Sequence, residues 1–411
     1  MVNLTDILVK SKRFWTDCKD TAIGYLDANH FRCLVLIEIC GGIKFSNGNR
    51  WMRSCMLLYR LLGFYQFCMA LFKAYFNIRY ETATITLYTS CLIVIAFVVS
   101  FVRMYQIRHY SVAIEQCKAF IVDQSNSSGD PSFDQSVRKR SALVTRNSVL
   151  ILFTYLCGNQ LLIWIPNAAR DRLFGIPEQF KEVGHELSFV MQQMFVGTLA
   201  VFWDCRIFYS TLVMDTLLMG LKSEFEIMLH AFETIPGRMM VNQGQNHITY
   251  FKGMLNRTLA QHIKLCRHTQ MIQPFINNAF AVTYYFVIMI VTGTVYIVIR
   301  DGALISLIVV GLTAISYALE CYWWCYMIDS LQEVAFKISE PVSRLIFELS
   351  HSSVNHSEYV QLRTSLMIIQ INASRQREWF SCAGVFLISR EVFRNLCRTI
   401  YSLITFMLEV R

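Results

Sequence analysis

The sequence predicts an all-α membrane protein, and three observations carry that prediction. Hydrophobic residues make up 54% of its 411 residues and charged residues only 16%, more apolar surface than a soluble fold of this length needs. Apolar stretches long enough to cross a bilayer, about 20 residues for a hydrocarbon core about 30 Å thick, recur along the chain. Lys and Arg outside those stretches concentrate on alternate connections, as they do on the cytoplasmic side of a membrane protein.

The N-terminal segment carries Lys10, Lys12 and Arg13 with no apolar run behind them. It is therefore not a secretory signal peptide, and targeting falls to the first span. Seven spans are expected, at 54–76, 83–102, 148–166, 187–218, 275–299, 303–328 and 383–407. Seven crossings place the termini on opposite sides. The basic excess in the N-terminal segment and in the second, fourth and sixth connections puts the N-terminus in the cytoplasm and the C-terminus outside. Glycosylation sequons begin at Asn3, Asn126, Asn256, Asn355 and Asn372, all on the side so assigned as cytoplasmic. If used, they would invert the topology; the charge bias outweighs them, because sequons arise by chance wherever polar residues collect.

The fourth apolar region is too long for one crossing and contains Asp204, Arg206 and Asp215, so its later part is expected to continue as a helix beyond the membrane. Helical spacing persists there in Phe225, Met228 and Phe232, and again in Leu255, Leu259, Ile263 and Cys266. It returns in Val334, Ile338, Leu345, Ile346, Leu362, Leu366 and Ile369. These stripes predict a cytoplasmic helical bundle continuous with the membrane helices. Three regions follow: 1–218 with the first four spans and a ligand pocket, 219–380 with the anchor bundle and the fifth and sixth spans, and 381–411 with the last helix.

That last span is too apolar for a soluble helix and too charged to face lipid. Each of Arg390, Arg394 and Arg398 would cost roughly 2.5–3.5 kcal/mol at the bilayer centre. Arg390, Arg394, Cys397, Tyr401, Ile404 and Leu408 follow a 4-3-4-3-4 spacing and so share one seam of a helix, polar at its start and apolar at its end. A face that runs from charged to apolar suits a water-filled vestibule leading to a hydrophobic constriction. Snorkelling arginines or ordinary helix packing would produce the same spacing.

Aromatic and thioether side chains gather toward one half of the membrane: Tyr88 in the second span, Tyr155, Asn159 and Trp164 in the third, Met191, Met194, Phe195 and Trp203 in the fourth. Such a set suits a small ligand held by dispersion and one or two hydrogen bonds. Anchoring-belt aromatics and packing methionines are the alternative. His262, Cys266 and His268, like the Cys321 and Cys325 pair, lack the paired spacing of a structural zinc site. No metal or cofactor is expected, nor a nucleic-acid partner. The fourteen cysteines avoid the connections placed outside, which excludes an extracellular disulfide there.

No Gly-rich phosphate loop, HExxH or GxSxG is present, so an enzyme is not expected. A G-protein-coupled receptor would carry a tethering disulfide and late-helix prolines. A transporter would carry midplane carboxylates or broken helices, for which Glu320 is the clear candidate. A ligand-gated channel subunit remains as the leading class.

The run Phe393-Arg-Asn-Leu-Cys-Arg398-Thr-Ile-Tyr401-Ser402-Leu-Ile-Thr405 resembles the closing signature of insect odorant receptors. The stretches from Leu259 to Phe280 and from Glu320 to Tyr326 are similar to that family's fifth and sixth helix regions. Gustatory receptors and the odorant co-receptor close with a Thr-Tyr pair and a later glutamine, whereas this chain has Ile400-Tyr401, then Met407-Leu408 and no glutamine in the helix. The resemblance is thus to a ligand-tuned subunit, although the absence of a tryptophan between Pro341 and Ser374 leaves the gustatory reading open. The resemblance implies a plasma-membrane, nonselective cation channel opened directly by a small volatile ligand and assembled with co-receptor subunits as a heterotetramer. It implies that Ile404 and Leu408, three and seven residues after Tyr401, form the gate. Because arginines along a cation path repel the ion, Arg390, Arg394 and Arg398 are expected at the cytoplasmic vestibule, at least one of them paired to an acidic residue or turned to a subunit seam. The resemblance also places ligand among the outer halves of the second, third, fourth and neighbouring helices, where the aromatic set lies.

Overall fold

The computed structural model describes residues 31, 34–43, 50–80, 84–166, 170–171, 174–182, 184–241, 247–301, 304–348, 356–375 and 378–409. The basic residues Lys10, Lys12 and Arg13 and the sequons at Asn3 and Asn355 lie outside them. The helices are α1 (Leu34–Cys40), α2 (Arg50–Arg79), α3 (Thr84–His109), α4 (Ser111–Asp123), α5 (Pro131–Trp164), α6 (Glu178–Lys181), α7 (His185–Val196), α8 (Leu199–Val241), α9 (His247–Asp301), α10 (Leu304–Lys337), α11 (Ser339–Glu348), α12 (His356–Arg375) and α13 (Arg390–Glu409). A two-stranded hairpin, β1 (Ser381–Cys382) with β2 (Phe386–Leu387), precedes the last helix.

Among the described residues, five segments are long and apolar enough to cross a membrane by length and composition. Their burial differs in a way that orders the bundle. In the most apolar part of the segment ending in α8, 72% of residues are buried, against 22% in α2. α8 is the central post, packed by α5, α10, α9, α3 and α1, while α2 lies outside against α3 and α7. The outward face of α2 presents Leu57, Leu58, Leu61 and Phe64, an apolar patch that lipid solvates and water does not.

Two helices far exceed a bilayer. At about 1.5 Å per residue, the 43 residues of α8 span roughly 65 Å and the 55 residues of α9 roughly 80 Å. Their excess lengths join α4, α11, α12 and the start of α5 in a second bundle. Phe225, Met228, Phe232, Leu255, Ile338, Leu345, Leu362, Leu366 and Ile369 are buried there, while Ile263 stays exposed. The stripes read from the sequence therefore pack against one another within a single chain. The turn into α5 is built by its own polar residues. Pro131 opens the helix, Asp130 accepts from Ser132 and Phe133 N–H, and Asp134 accepts from the Ser128 hydroxyl at 2.6 Å. Bonds from the Ser132 hydroxyl and the Phe133 N–H hold the Asp130 carboxyl below its ordinary range. Asn126 is buried beside this turn, whereas Asn256 and Asn372 are exposed.

Among the departures from the expected spans, three shape the bundle. The 187–218 region is interrupted at Gly197 and Thr198, between α7 and α8. The orphaned groups of the broken helix are satisfied by α5. Gln160 accepts from Ala200 N–H at 3.0 Å and donates to the Val196 carbonyl at 2.9 Å, and Trp164 donates to the Gly197 carbonyl. The second span does not stop at 102, because α3 runs on through Arg103 to His109. The last does not begin at 383. Ala383 and Gly384 adopt positive φ, 47° and 80°, in the hairpin turn, which breaks helical geometry, and α13 starts at Arg390. Its 20 residues still span about 30 Å.

Candidate functional site

A cavity of about 140 Å³ opens between α3, α5, α8, α9 and α10, with Phe174 at its rim. An apolar cavity of about 150 Å³ admits a benzene ring, so this volume suits a single-ring molecule. One wall is aromatic and rigid. The Trp203 ring stacks on Phe97, with centroids 4.0 Å apart, and its indole N–H donates to Gln66 Oε1 at 3.0 Å. Tyr317 from α10 stacks on Phe208 at 5.4 Å. The polar lining is sparse: Thr89, Asn159, Thr294, Thr313, the Tyr317 phenol and the Asp204 carboxylate.

Of the residues expected at a pocket, Asn159 and Trp203 line this cavity. Phe195 is buried in the cluster that also holds Trp203 and Phe97, and Met191 packs against that cluster. Tyr88 leans on Tyr296, with ring centroids 5.6 Å apart. The Tyr155 hydroxyl, one turn from Asn159, accepts from Ser316. Trp164 and Met194 are exposed. Phe97, Phe174, Tyr317 and Asp204 were not foreseen as lining. Asp204 alone left a signal, a charge inside an apolar run.

α13 packs on α9 and α10, which also wall the cavity. It buries Val392, Leu396 and Ile400, and Ile404 is partly buried against the same core. Apart from Ile404, the seam lies on a different flank. Tyr401 is 72% exposed and Leu408 36%, and Arg390, Arg394 and Cys397 are exposed as well. Arg390 is held at the start of the helix, its Nε 2.8 Å from Asp329 Oδ2 and its guanidinium over the Tyr326 ring. Glu333 lies a further 3.8 Å from it, and its bond with Lys337 keeps the Glu333 carboxyl below the ordinary range. Arg398 reaches Asn395 on its own helix, and Arg394 points away from the core.

Neither a protein-family model nor a curated protein matches the sequence. By structure the chain is similar to the olfactory receptor OR5 of Machilis hrabei, in a structure of that receptor and in one of its complex with eugenol. Each covers 94% of this chain and 100% of the other at a TM-score of 0.74 and 12% identity. The chain has the insect olfactory receptor fold.

Beneath the cavity, this olfactory-receptor fold is clasped by a buried ion pair. Arg103 on α3 meets Glu320 on α10 at 2.8 Å, with both side chains almost wholly buried. The guanidinium also donates to the Ile207 carbonyl on α8 at 2.8 Å and to the Thr283 hydroxyl on α9 at 2.9 Å. Thr211 donates to the same carboxylate. Four helices thus meet at one residue. Glu320 follows the cavity residue Tyr317 by one turn of α10, which sets the clasp directly below the cavity floor. Sequence reasoning singled out Glu320 but not its partner, because the hydropathy window closed at Val102. The pairing spans 217 positions of chain, a separation that no local pattern records.

Proposed function

We propose that the chain is a ligand-tuned odorant receptor subunit of a nonselective cation channel in the plasma membrane. A small volatile ligand in the cavity opens it directly. In this reading the chain crosses the membrane seven times, α10 and α13 included, with a cytoplasmic N-terminus. It assembles with odorant co-receptor subunits through the bundle beyond the membrane, and α13 faces the conduction path.

One observation carries the reading: α9 and α10 line the cavity and also support α13. A ligand that shifts those two helices changes the seat of α13 with no other relay. The seam from Arg390 to Leu408, exposed except at Ile404, gives a lone chain an amphipathic surface that further subunits would cover around water. Pairing of Arg390 with Asp329 removes one positive charge from a path meant for cations.

The test is patch recording from cells expressing the chain with and without an odorant co-receptor, against a panel of volatiles. Rapid cation current from the pair alone is expected; a G-protein-dependent delay, or sugar-evoked current from the chain by itself, would overturn the proposal. In the same cells Ile404→Ala and Leu408→Ala should change basal conductance or ion selectivity, and unaltered currents from both would remove the seam from the pore.

A further inference from the structure

We propose that the cavity is built for a protonated amine of single-ring size, with the Asp204 carboxylate as its counter-ion. The inference rests on the reading of this cavity as the ligand site. It deepens that reading by naming a ligand class.

Charge in the cavity has one sign. Asp204 lines it, while among the described residues the lining includes no Lys, Arg or His. A carboxylate facing apolar walls within a membrane-length segment is costly unless paired, and an ionisable group so placed marks a transport path or a ligand counter-ion. The neighbouring buried acids show how structural carboxylates are treated in this bundle. Glu320 is gripped by Arg103 and Thr211, and Asp215 accepts from the Trp323 indole at 2.8 Å. Asp204 takes a hydrogen bond from the Asn159 side chain, and among the described residues no cation pairs with it. It is half-buried although it lies at the centre of the helix bundle, because its free surface is cavity surface.

The rest of the wall suits the same ligand. The rings of Phe97, Trp203 and Tyr317 line the space, and aromatic faces attract a desolvated ammonium. A neutral ring would satisfy the walls and leave the carboxylate with Asn159 alone and no counter-ion. A ring bearing a protonated amine satisfies both, its N–H groups donating to Asp204. Asn159, Thr294 and Thr313 supply acceptors for any N–H that the carboxylate does not take.

The experiment uses the full chain, purified in nanodiscs of zwitterionic lipid so that bulk membrane charge draws no cation, and titrated calorimetrically with benzylamine, benzyl alcohol and toluene. These probes have nearly the same size and differ in charge and hydrogen bonding. Benzylamine is expected to bind about tenfold more tightly than either neutral probe, the usual worth of a charged hydrogen bond. Asp204→Asn should abolish that preference while leaving toluene affinity within about twofold, and Asp204→Glu should retain it. Toluene or benzyl alcohol binding as tightly as benzylamine to the natural chain would overturn the proposal and leave the receptor reading intact. No binding of any probe would overturn both. If Asp204→Asn fails to fold, the three-probe series on the natural chain decides alone.

Discussion

Glu320 and Asp204 are two acids on helices packed side by side, separated by little more than the cavity floor, and the protein treats them in opposite ways. Glu320 has an arginine, a threonine and a four-helix junction around it. Asp204 has one amide, Asn159, and a cavity. A membrane protein can bury charge by completing its shell or by leaving the shell open for something that arrives later. The first choice stabilises an architecture, and the second costs stability and creates recognition. Region by region the contrast repeats. Below the clasp a core of Leu217, Leu221, Phe225 and Met228 runs on into the second bundle, and above it the wall is aromatic and incompletely filled.

The largest expected effect breaks the closed shell. Arg103→Met strands Glu320 in the core and should cost about 3–5 kcal/mol, read as a lower midpoint of thermal unfolding or as loss of monodisperse protein. Adding Glu320→Met should recover most of that loss, because an apolar pair of similar volume does not pay for desolvation. A double variant as unstable as the single one would show that the bonds to Ile207 and Thr283, rather than charge, hold the junction.

The opposite sign is expected at the open shell. Asp204→Asn should stabilise the ligand-free chain by about 0.5–2 kcal/mol, the scale of gain seen when a functional group that strains its site is removed. A lowered unfolding midpoint would class Asp204 with Glu320 as structural and end the contrast. The smallest effect belongs to the exposed pair of Arg390 and Asp329, whose side chains are 48% and 35% accessible. Arg390→Gln should change stability by no more than about 1 kcal/mol, and less in high salt. A loss as large as that of Arg103→Met would mean that other chains bury the pair.

Much of the helical plan was legible in the sequence because hydropathy and helical spacing are local. Phe225, Met228 and Phe232 announced a helix running out of the membrane, and Leu362, Leu366 and Ile369 announced its neighbour. Local turn chemistry was harder to see. The 383–407 stretch is apolar enough to pass as one span, yet Ala383 and Gly384 turn the chain there. Nothing in the composition of 187–218 marks a break at Gly197, since the groups that make it tolerable belong to Gln160 and Trp164 on another helix.

The cavity was legible only in part. Asn159 and Trp203 were picked out by residue type, while Phe97 and Tyr317 look like any other aromatic residues of a span until α3 and α10 meet α8. By itself the sequence determined the helical class, the excess lengths of α8 and α9, and the amphipathic seam of α13, all of them periodicities within a few turns of chain. Only the tertiary structure decided which acid is paired with a cation and which faces a cavity. A carboxylate is completed by groups hundreds of residues away, and whether they reach it depends on how the helices pack.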